Sequence, residues 1–180
     1  MNGARGQGAV RAVTAQPVVR AATAHDLPGL TRIYNHYVAT SGATFDVEEQ
    51  TVEQRRGWFE HHAEHGPHRL LVAEGIHGLL GWASSSQLRP RPAYAASVET
   101  SVYLDPSATG RGLGTLLYGA LLDALAGQGL HRAFALIALP NDASEALHRR
   151  FGYREVGTWS EAGHKLGRWW DVRWYERGLT

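Results

Sequence analysis

Apolar side chains recur at helical spacing in two parts of the chain. One stripe runs from Leu27 to Tyr37, behind Asp26 as a predicted N-cap. The other runs from Leu113 to Leu125 and stops at a glycine-containing segment. Two further helices are predicted over 51–65 and 141–150.

Short apolar runs bounded by turn residues predict the strands. They are expected over 18–22, 69–74, 79–86, 98–104, 132–139, 153–159 and 169–176. The predicted order is one strand, two helices, three strands, a helix, a strand, a helix and two closing strands. This order predicts an α/β or α+β fold, in which helices cover a mixed sheet.

Length and composition narrow the function classes. A chain of 180 residues with a net charge of +1 suits one domain over 18–180, and it gives no reason to expect nucleic acid or a membrane surface as partner. The absence of cysteine excludes disulfides and a thiolate nucleophile. Residues 1–17 lack the apolar core of a signal peptide, so we expect a disordered leader and a cytoplasmic protein.

A glycine turn connects one predicted strand to the helix that begins at Leu113. Gly110, Gly112 and Gly114 leave this turn nearly free of side chains, so backbone N–H groups at the helix start can meet an anion. A P-loop would need a lysine after Gly114, and a dinucleotide fingerprint would need glycine in place of Thr115. A phosphate-binding turn and a plain connecting turn both remain open.

The turn resembles the pyrophosphate loop of the GCN5-related N-acetyltransferases, whose pattern is Arg/Gln-x-x-Gly-x-Gly/Ala. Gly112 and Gly114 match it, whereas Thr109 departs from it and Arg111 is expected to supply the positive charge. Further segments resemble the phosphinothricin, methionine sulfone and methionine sulfoximine N-acetyltransferases in this superfamily. They are 19–23, 33–37, 98–103, 139–144, 147–153 and 163–169.

The resemblance implies an acetyltransferase fold, acetyl-CoA as cosubstrate, no metal, and a homodimer. Its mixed sheet of about seven strands would be splayed where acetyl-CoA binds, with the pantetheine arm beside the exposed strand like an added strand. The residues implied to hold the cofactor are Val102, Tyr103, Leu104, Thr109, Gly110, Arg111, Gly112, Leu113, Gly114, Thr115, Asn141 and Ser144. Asn141 also fits the simpler role of a helix N-cap.

Two residues are candidates for catalysis by this resemblance. Glu99 precedes the glycine turn and would take the proton from a substrate amine, although an ordinary ion pair with an arginine is the alternative. His148 would act as an acid, a proton relay or a substrate contact, unless it merely packs on its helix. Transfer would be direct, without a covalent enzyme intermediate.

An anionic amino-acid substrate needs donors and a shaped pocket. Arg89 and Arg91 suit phosphinate or carboxylate oxygens, although solvent-exposed loop arginines are common. The resemblance adds aromatic residues and one lysine from a C-terminal loop at 163–165. These are Phe45, Tyr94, Tyr103 and Lys165. For the aromatic residues, core packing is the alternative.

Three other functions stay open. The same fold acetylates protein N-termini or polyamines in other enzymes, although the basic segment 89–91 favours an anionic substrate. A non-catalytic acetyl-CoA-binding module is the third.

A metal site on His61, His62, His65 and His68 is disfavoured, because no glutamate stands at the spacing of a His-Glu-x-x-His site.

Overall fold

The computed structural model describes residues 16–180, so most of the predicted leader lies outside the described residues. The helices are α1 (Leu27–Thr40), α2 (Val52–Glu60), α3 (Leu113–Leu125) and α4 (Asp142–Arg150). The strands are β1 (Val18–Ala21), β2 (Leu70–Gly75), β3 (Gly78–Gln87), β4 (Ser97–Leu104), β5 (Arg132–Ala138), β6 (Arg154–Lys165) and β7 (Arg168–Gly178). Within residues 16–180, no helix combines the length and apolarity needed to cross a membrane.

All seven strands form one sheet in the order β1-β2-β3-β4-β5-β7-β6. Neighbouring strands are antiparallel except β4 and β5, which are parallel. The predicted mixed sheet of about seven strands flanked by helices is therefore confirmed.

Two apolar clusters fill the two faces of the sheet. The larger one packs α3 against the central strands, with Leu117 and Leu121 fully buried. The second packs α1 against β2 and β3 around Trp82, and α2 adds Trp58 at its margin. Alternation along β4 sends Val98 into the first cluster and Tyr103 to the second, because successive side chains of a strand point to opposite faces.

The sheet divides in its middle. Strands β4 and β5 pair only from Ser97 to Glu99 against Arg132 to Phe134. Beyond these pairs β4 stays with β3 and β5 stays with β7, so the two central strands separate. We call this separation the fork. It is the splay that the resemblance implied.

Two predicted boundaries were wrong. Helix α2 ends at Glu60 rather than near residue 65, and the Nδ1 atoms of His61 and His62 lie 2.6 and 3.0 Å from the carbonyl oxygens of Gly57 and Trp58. Strand β6 continues to Lys165, so 163–165 is strand rather than loop. Nearly every residue of β6 is exposed, so the strand has no apolar alternation to reveal its length.

The packing of α3 gives a stability prediction. Leu121→Ala removes a fully buried side chain and should lower the free energy of unfolding by about 2–5 kcal/mol, because it leaves a cavity. Leu116→Ala is the matched control on the same helix, since Leu116 is 44% exposed, and should change it by under about 1 kcal/mol. Urea unfolding followed by circular dichroism measures both. Equal losses would contradict the assigned core.

Candidate active site

A groove of about 280 Å³ runs from the fork to the start of α3. All the residues predicted to hold the cofactor line it except Arg111, which is exposed, and Leu113, which is buried in the core. Tyr37, Ala43, Ala143 and Leu147 complete its walls. The structure thus brings most of the predicted cofactor residues together around one concave surface.

The floor of the groove is the N-terminus of α3. Gly112 is its N-cap with φ of 77°, a left-handed conformation that glycine adopts without strain, and it carries no capping side chain. The first bond of the helix is Leu116 N–H to Gly112 O. The N–H groups of residues 113–115 precede that bond and have no backbone acceptor among residues 16–180. They are available to an anion in the groove.

Helix α4 contributes the opposite wall. The Asn141 side chain accepts a hydrogen bond from Ser144 N–H at 3.2 Å, which confirms Asn141 as an N-cap. His148 lies one helical turn after Ser144 and is 3% exposed. It lines a smaller cavity of about 60 Å³ inside the fork, together with Asn141 and Ser144.

The protonation of His148 follows from its contacts. Its Nδ1 lies 2.7 Å from Ser144 O, and a carbonyl oxygen only accepts, so Nδ1 carries the hydrogen. Burial lowers the pKa of His148, so the ring is neutral at pH 7. Its Nε2 is then a buried acceptor with no partner among the described residues.

A larger cavity of about 640 Å³ lies on the other face of the sheet. Alternate residues of β3 and β4 form its floor: Trp82, Ser84, Ser86, Glu99, Ser101 and Tyr103. The segment 42–46 and helix α2 form one wall, and Trp159 of β6 borders it. Tyr103 and Ala43 line this cavity, the groove and the fork cavity, so the three meet at these two residues.

Glu99 is the carboxylate at the fork. It is half-buried in the large cavity and makes no hydrogen bond or ion pair within residues 16–180. Burial raises the pKa of Glu99, and the positive charge of Arg89 opposes that shift. Arg89 does not approach within ion-pair distance, so the structure lacks the ordinary ion pair that was the alternative for Glu99.

The predicted substrate residues are not all brought together. Phe45 and Tyr103 line the large cavity, whereas Arg89, Arg91, Tyr94 and Lys165 lie outside its lining. Arg89 donates to Leu88 O at 2.8 Å. The buried Lys165 donates to the carbonyl oxygens of Tyr37 and Thr44 at 3.2 and 2.7 Å, which ties the end of β6 to α1 and to the segment after it. Roles in substrate binding for these four residues stay predictions.

Two charged residues of the large cavity were missed from the sequence. They are Asp46 and Arg55. Arg55 stands three positions before Trp58, so both share one face of the predicted second helix. That spacing was the available signal, but a charge on a helix is usually solvated.

Comparison with known proteins decides the family. The Acetyltransferase (GNAT) domain model matches residues 19–174, nearly all of the described chain. The chain belongs to the GNAT acetyltransferase family. It is an N-acetyltransferase, and the mixed sheet with its fork is the fold of this family.

Individual GNAT relatives are similar over nearly their whole length. The chain is 55% identical to a phosphinothricin N-acetyltransferase of Streptomyces coelicolor, covering 92% of this chain and 98% of the relative. It is 35% identical to an L-methionine sulfoximine/L-methionine sulfone acetyltransferase of Pseudomonas paraeruginosa, covering 89% and 94%. A crystal structure of a phosphinothricin acetyltransferase from Sinorhizobium meliloti in complex with acetyl-CoA is 32% identical and superposes with a TM-score of 0.86, covering 91% and 89%.

The electrostatics of this GNAT site give a prediction. Arg89→Gln removes the positive charge that stabilises the Glu99 carboxylate, so the pKa of Glu99 should rise further. Carbon-13 NMR of the glutamate carboxyl groups during a pH titration measures it. Arg91→Gln removes an exposed neighbouring charge and should leave the pKa of Glu99 unchanged. A wild-type Glu99 that titrates at or below the pKa of free glutamate would contradict the effect of burial.

Proposed function

We propose that this N-acetyltransferase transfers the acetyl group of acetyl-CoA to the α-amino group of phosphinothricin, methionine sulfoximine or methionine sulfone, with Glu99 as the general base. One observation carries the proposal: a half-buried carboxylate, unpaired within residues 16–180, lines the large cavity at the last residue before β4 and β5 separate. The names of the similar phosphinothricin and methionine sulfoximine acetyltransferases support the substrate class.

The groove fits acetyl-CoA by its own chemistry. The free N–H groups at the start of α3 suit the pyrophosphate, and Gly110 and Gly112 let it approach the backbone. The unpaired edge of β4 at Val102 to Leu104 suits the pantetheine amides. When bound there, acetyl-CoA supplies an acetyl group activated as a thioester.

Glu99 takes up the first proton. The α-ammonium of a free amino acid is mostly charged near neutral pH and cannot attack a carbonyl until it loses a proton. A buried carboxylate with a raised pKa is a stronger base than one in water. Glu99 therefore accepts this proton and leaves a neutral amine beside the fork.

The remaining groups act on the transfer itself. Backbone N–H groups near Val102 to Leu104 polarise the thioester carbonyl while the C–N bond forms and the C–S bond breaks. The nitrogen then loses a second proton and the sulfur gains one. His148 is the relay, because its unpartnered Nε2 can take a proton and pass it to the leaving thiolate.

A homodimer also remains part of the proposal. Strand β6 is at the edge of the sheet and is exposed along nearly all its length, with Val156 and Trp159 more than half exposed. An exposed edge strand with apolar side chains favours a partner. Analytical ultracentrifugation determines the stoichiometry.

The function is tested by thiol release from acetyl-CoA with a panel of amines. The panel holds phosphinothricin, methionine sulfoximine, methionine sulfone, spermidine and an N-terminal peptide. Turnover confined to the first three is the expected result. Turnover only on spermidine or peptide would overturn the substrate class, and acetyl-CoA binding without any turnover would favour a non-catalytic module.

Removal of the base gives a sharper prediction. Glu99→Gln keeps the shape of the side chain but cannot accept the proton, so kcat should fall about 10²- to 10⁴-fold while acetyl-CoA still binds. Steady-state kinetics and calorimetry measure the two effects. Glu60→Gln changes an exposed glutamate of α2 outside the cavities and should match wild type. Full activity of Glu99→Gln would remove Glu99 from the mechanism.

The glycine turn gives a prediction with a matched pair. Gly112→Ala and Gly127→Ala both place a Cβ on a left-handed residue with open space around it, so each should cost about 1–2 kcal/mol of stability. Gly112 lines the groove and Gly127 does not. Gly112→Ala should therefore weaken acetyl-CoA binding by about tenfold (1.4 kcal/mol), whereas Gly127→Ala should not. Thermal melting measures the stability of each variant, and calorimetry measures its affinity for acetyl-CoA. Equal affinities in the two variants would count against the pyrophosphate site.

A further inference from the structure

Arg55 is a buried cation that has no partner in the part of the chain that the structure describes. It is 4% exposed, and its Cζ lies 4.1 Å from the ring centroid of Tyr34 and 3.8 Å from that of Trp58. Its Nε and Nη2 atoms are buried and make no hydrogen bond, and Arg55 forms no ion pair anywhere in residues 16–180. The side chain lines the large cavity.

This arrangement is costly unless something else enters the cavity. Ring faces attract the cation but do not replace hydrogen-bond acceptors for its N–H groups. A buried guanidinium normally pairs with a carboxylate, because desolvation is otherwise uncompensated. The nearby Asp46 does not pair with Arg55 within residues 16–180, and its Oδ2 accepts hydrogen bonds from Tyr34 OH at 2.8 Å and Gln50 Nε2 at 2.7 Å. The chain therefore leaves an anion-binding group facing its large cavity.

Strand register places Arg55 far from Glu99. Glu99 pairs with Ser86, and Tyr103 pairs with Trp82, so the two pairs are four residues apart along the strands. At a rise of about 3.3 Å per residue this separation is about 13 Å. Arg55 lies at the Trp82 end, with its Cζ 6.0 Å from that ring. The base and the unpaired cation thus stand at opposite ends of one strip of the cavity floor.

We propose that Arg55 binds the acidic or sulfonyl oxygens at the far end of the amino-acid side chain and so selects the substrate; this rests on the proposed function. The α-carboxylate is bonded to the same carbon as the amine, so it must lie beside Glu99. The phosphinate of phosphinothricin is four bonds from the amine nitrogen and points along the strip toward Arg55. A planar guanidinium suits its two oxygens.

Three substrates distinguish recognition of the phosphinate from recognition of the α-carboxylate. Phosphinothricin carries both groups, 3-aminopropyl(methyl)phosphinate carries only the phosphinate, and norleucine carries only the carboxylate. Arg55→Gln should lower kcat/KM about 10- to 100-fold for the two phosphinates, mainly through KM, and change it less than twofold for norleucine. Arg55→Lys keeps the charge but loses the planar set of N–H donors, so its kcat/KM for the phosphinates should fall between those of wild type and Arg55→Gln.

The controls identify a merely structural effect. Arg56→Gln removes the exposed neighbouring arginine and should match wild type with all three substrates. The KM for acetyl-CoA should stay unchanged in every variant. Equal losses with phosphinothricin and norleucine would assign Arg55 to the α-carboxylate or to folding, and either result overturns the proposal.

Direct binding separates this inference from the proposed function. Trp58 and Trp82 lie beside Arg55, so quenching of tryptophan fluorescence reports a ligand there without turnover. Wild type that binds phosphinothricin but does not acetylate it would refute the proposed function alone. Wild type and Arg55→Gln that bind it equally, or no binding by wild type, would refute the role of Arg55.

Discussion

The fork between the two central strands is the constraint on which the site depends. After the pair Glu99–Phe134, the facing edges of β4 and β5 have no strand partner among the described residues, and buried backbone groups need other partners. Thr100 closes the root of the fork, because its Oγ1 donates to Phe134 O at 3.0 Å and accepts from Tyr118 OH and Tyr153 OH at 2.7 and 3.0 Å. A buried hydroxyl cluster thus replaces the ladder where the strands separate.

A carboxylate of helix α4 ties the helix to β7 beside the fork. Glu145 Oε1 accepts hydrogen bonds from Tyr175 OH and Arg173 at 2.7 Å each, and from Arg149 at 3.2 Å. These donors hold the pKa of Glu145 below its usual value and fix the helix to β7. Asn141 and His148 are thereby placed beside the open edge of β4.

Alternation along β4 places the two residues that we propose for catalysis on opposite faces of the strand. Glu99 faces the large cavity, and Thr100 faces the buried side where His148 lies. Burial raises the pKa of the Glu99 carboxyl and lowers the pKa of the His148 imidazole. The same loss of solvent therefore makes the carboxylate a stronger base and keeps the imidazole neutral.

The resemblance to a family implied most of the groove residues, whereas the sequence by itself determined the order of the elements and the glycine turn. These features are local, since helical spacing, caps and left-handed glycines are set by neighbouring residues along the chain. It predicted β6 too short, because an exposed strand carries no alternating pattern. Only the tertiary structure decided that Glu99 lacks an ion pair within the described residues and that Arg55 lies buried among aromatic rings. Both facts depend on which distant residues fill the space around a charge, and that is set by packing between α2 and the sheet rather than by spacing along the chain.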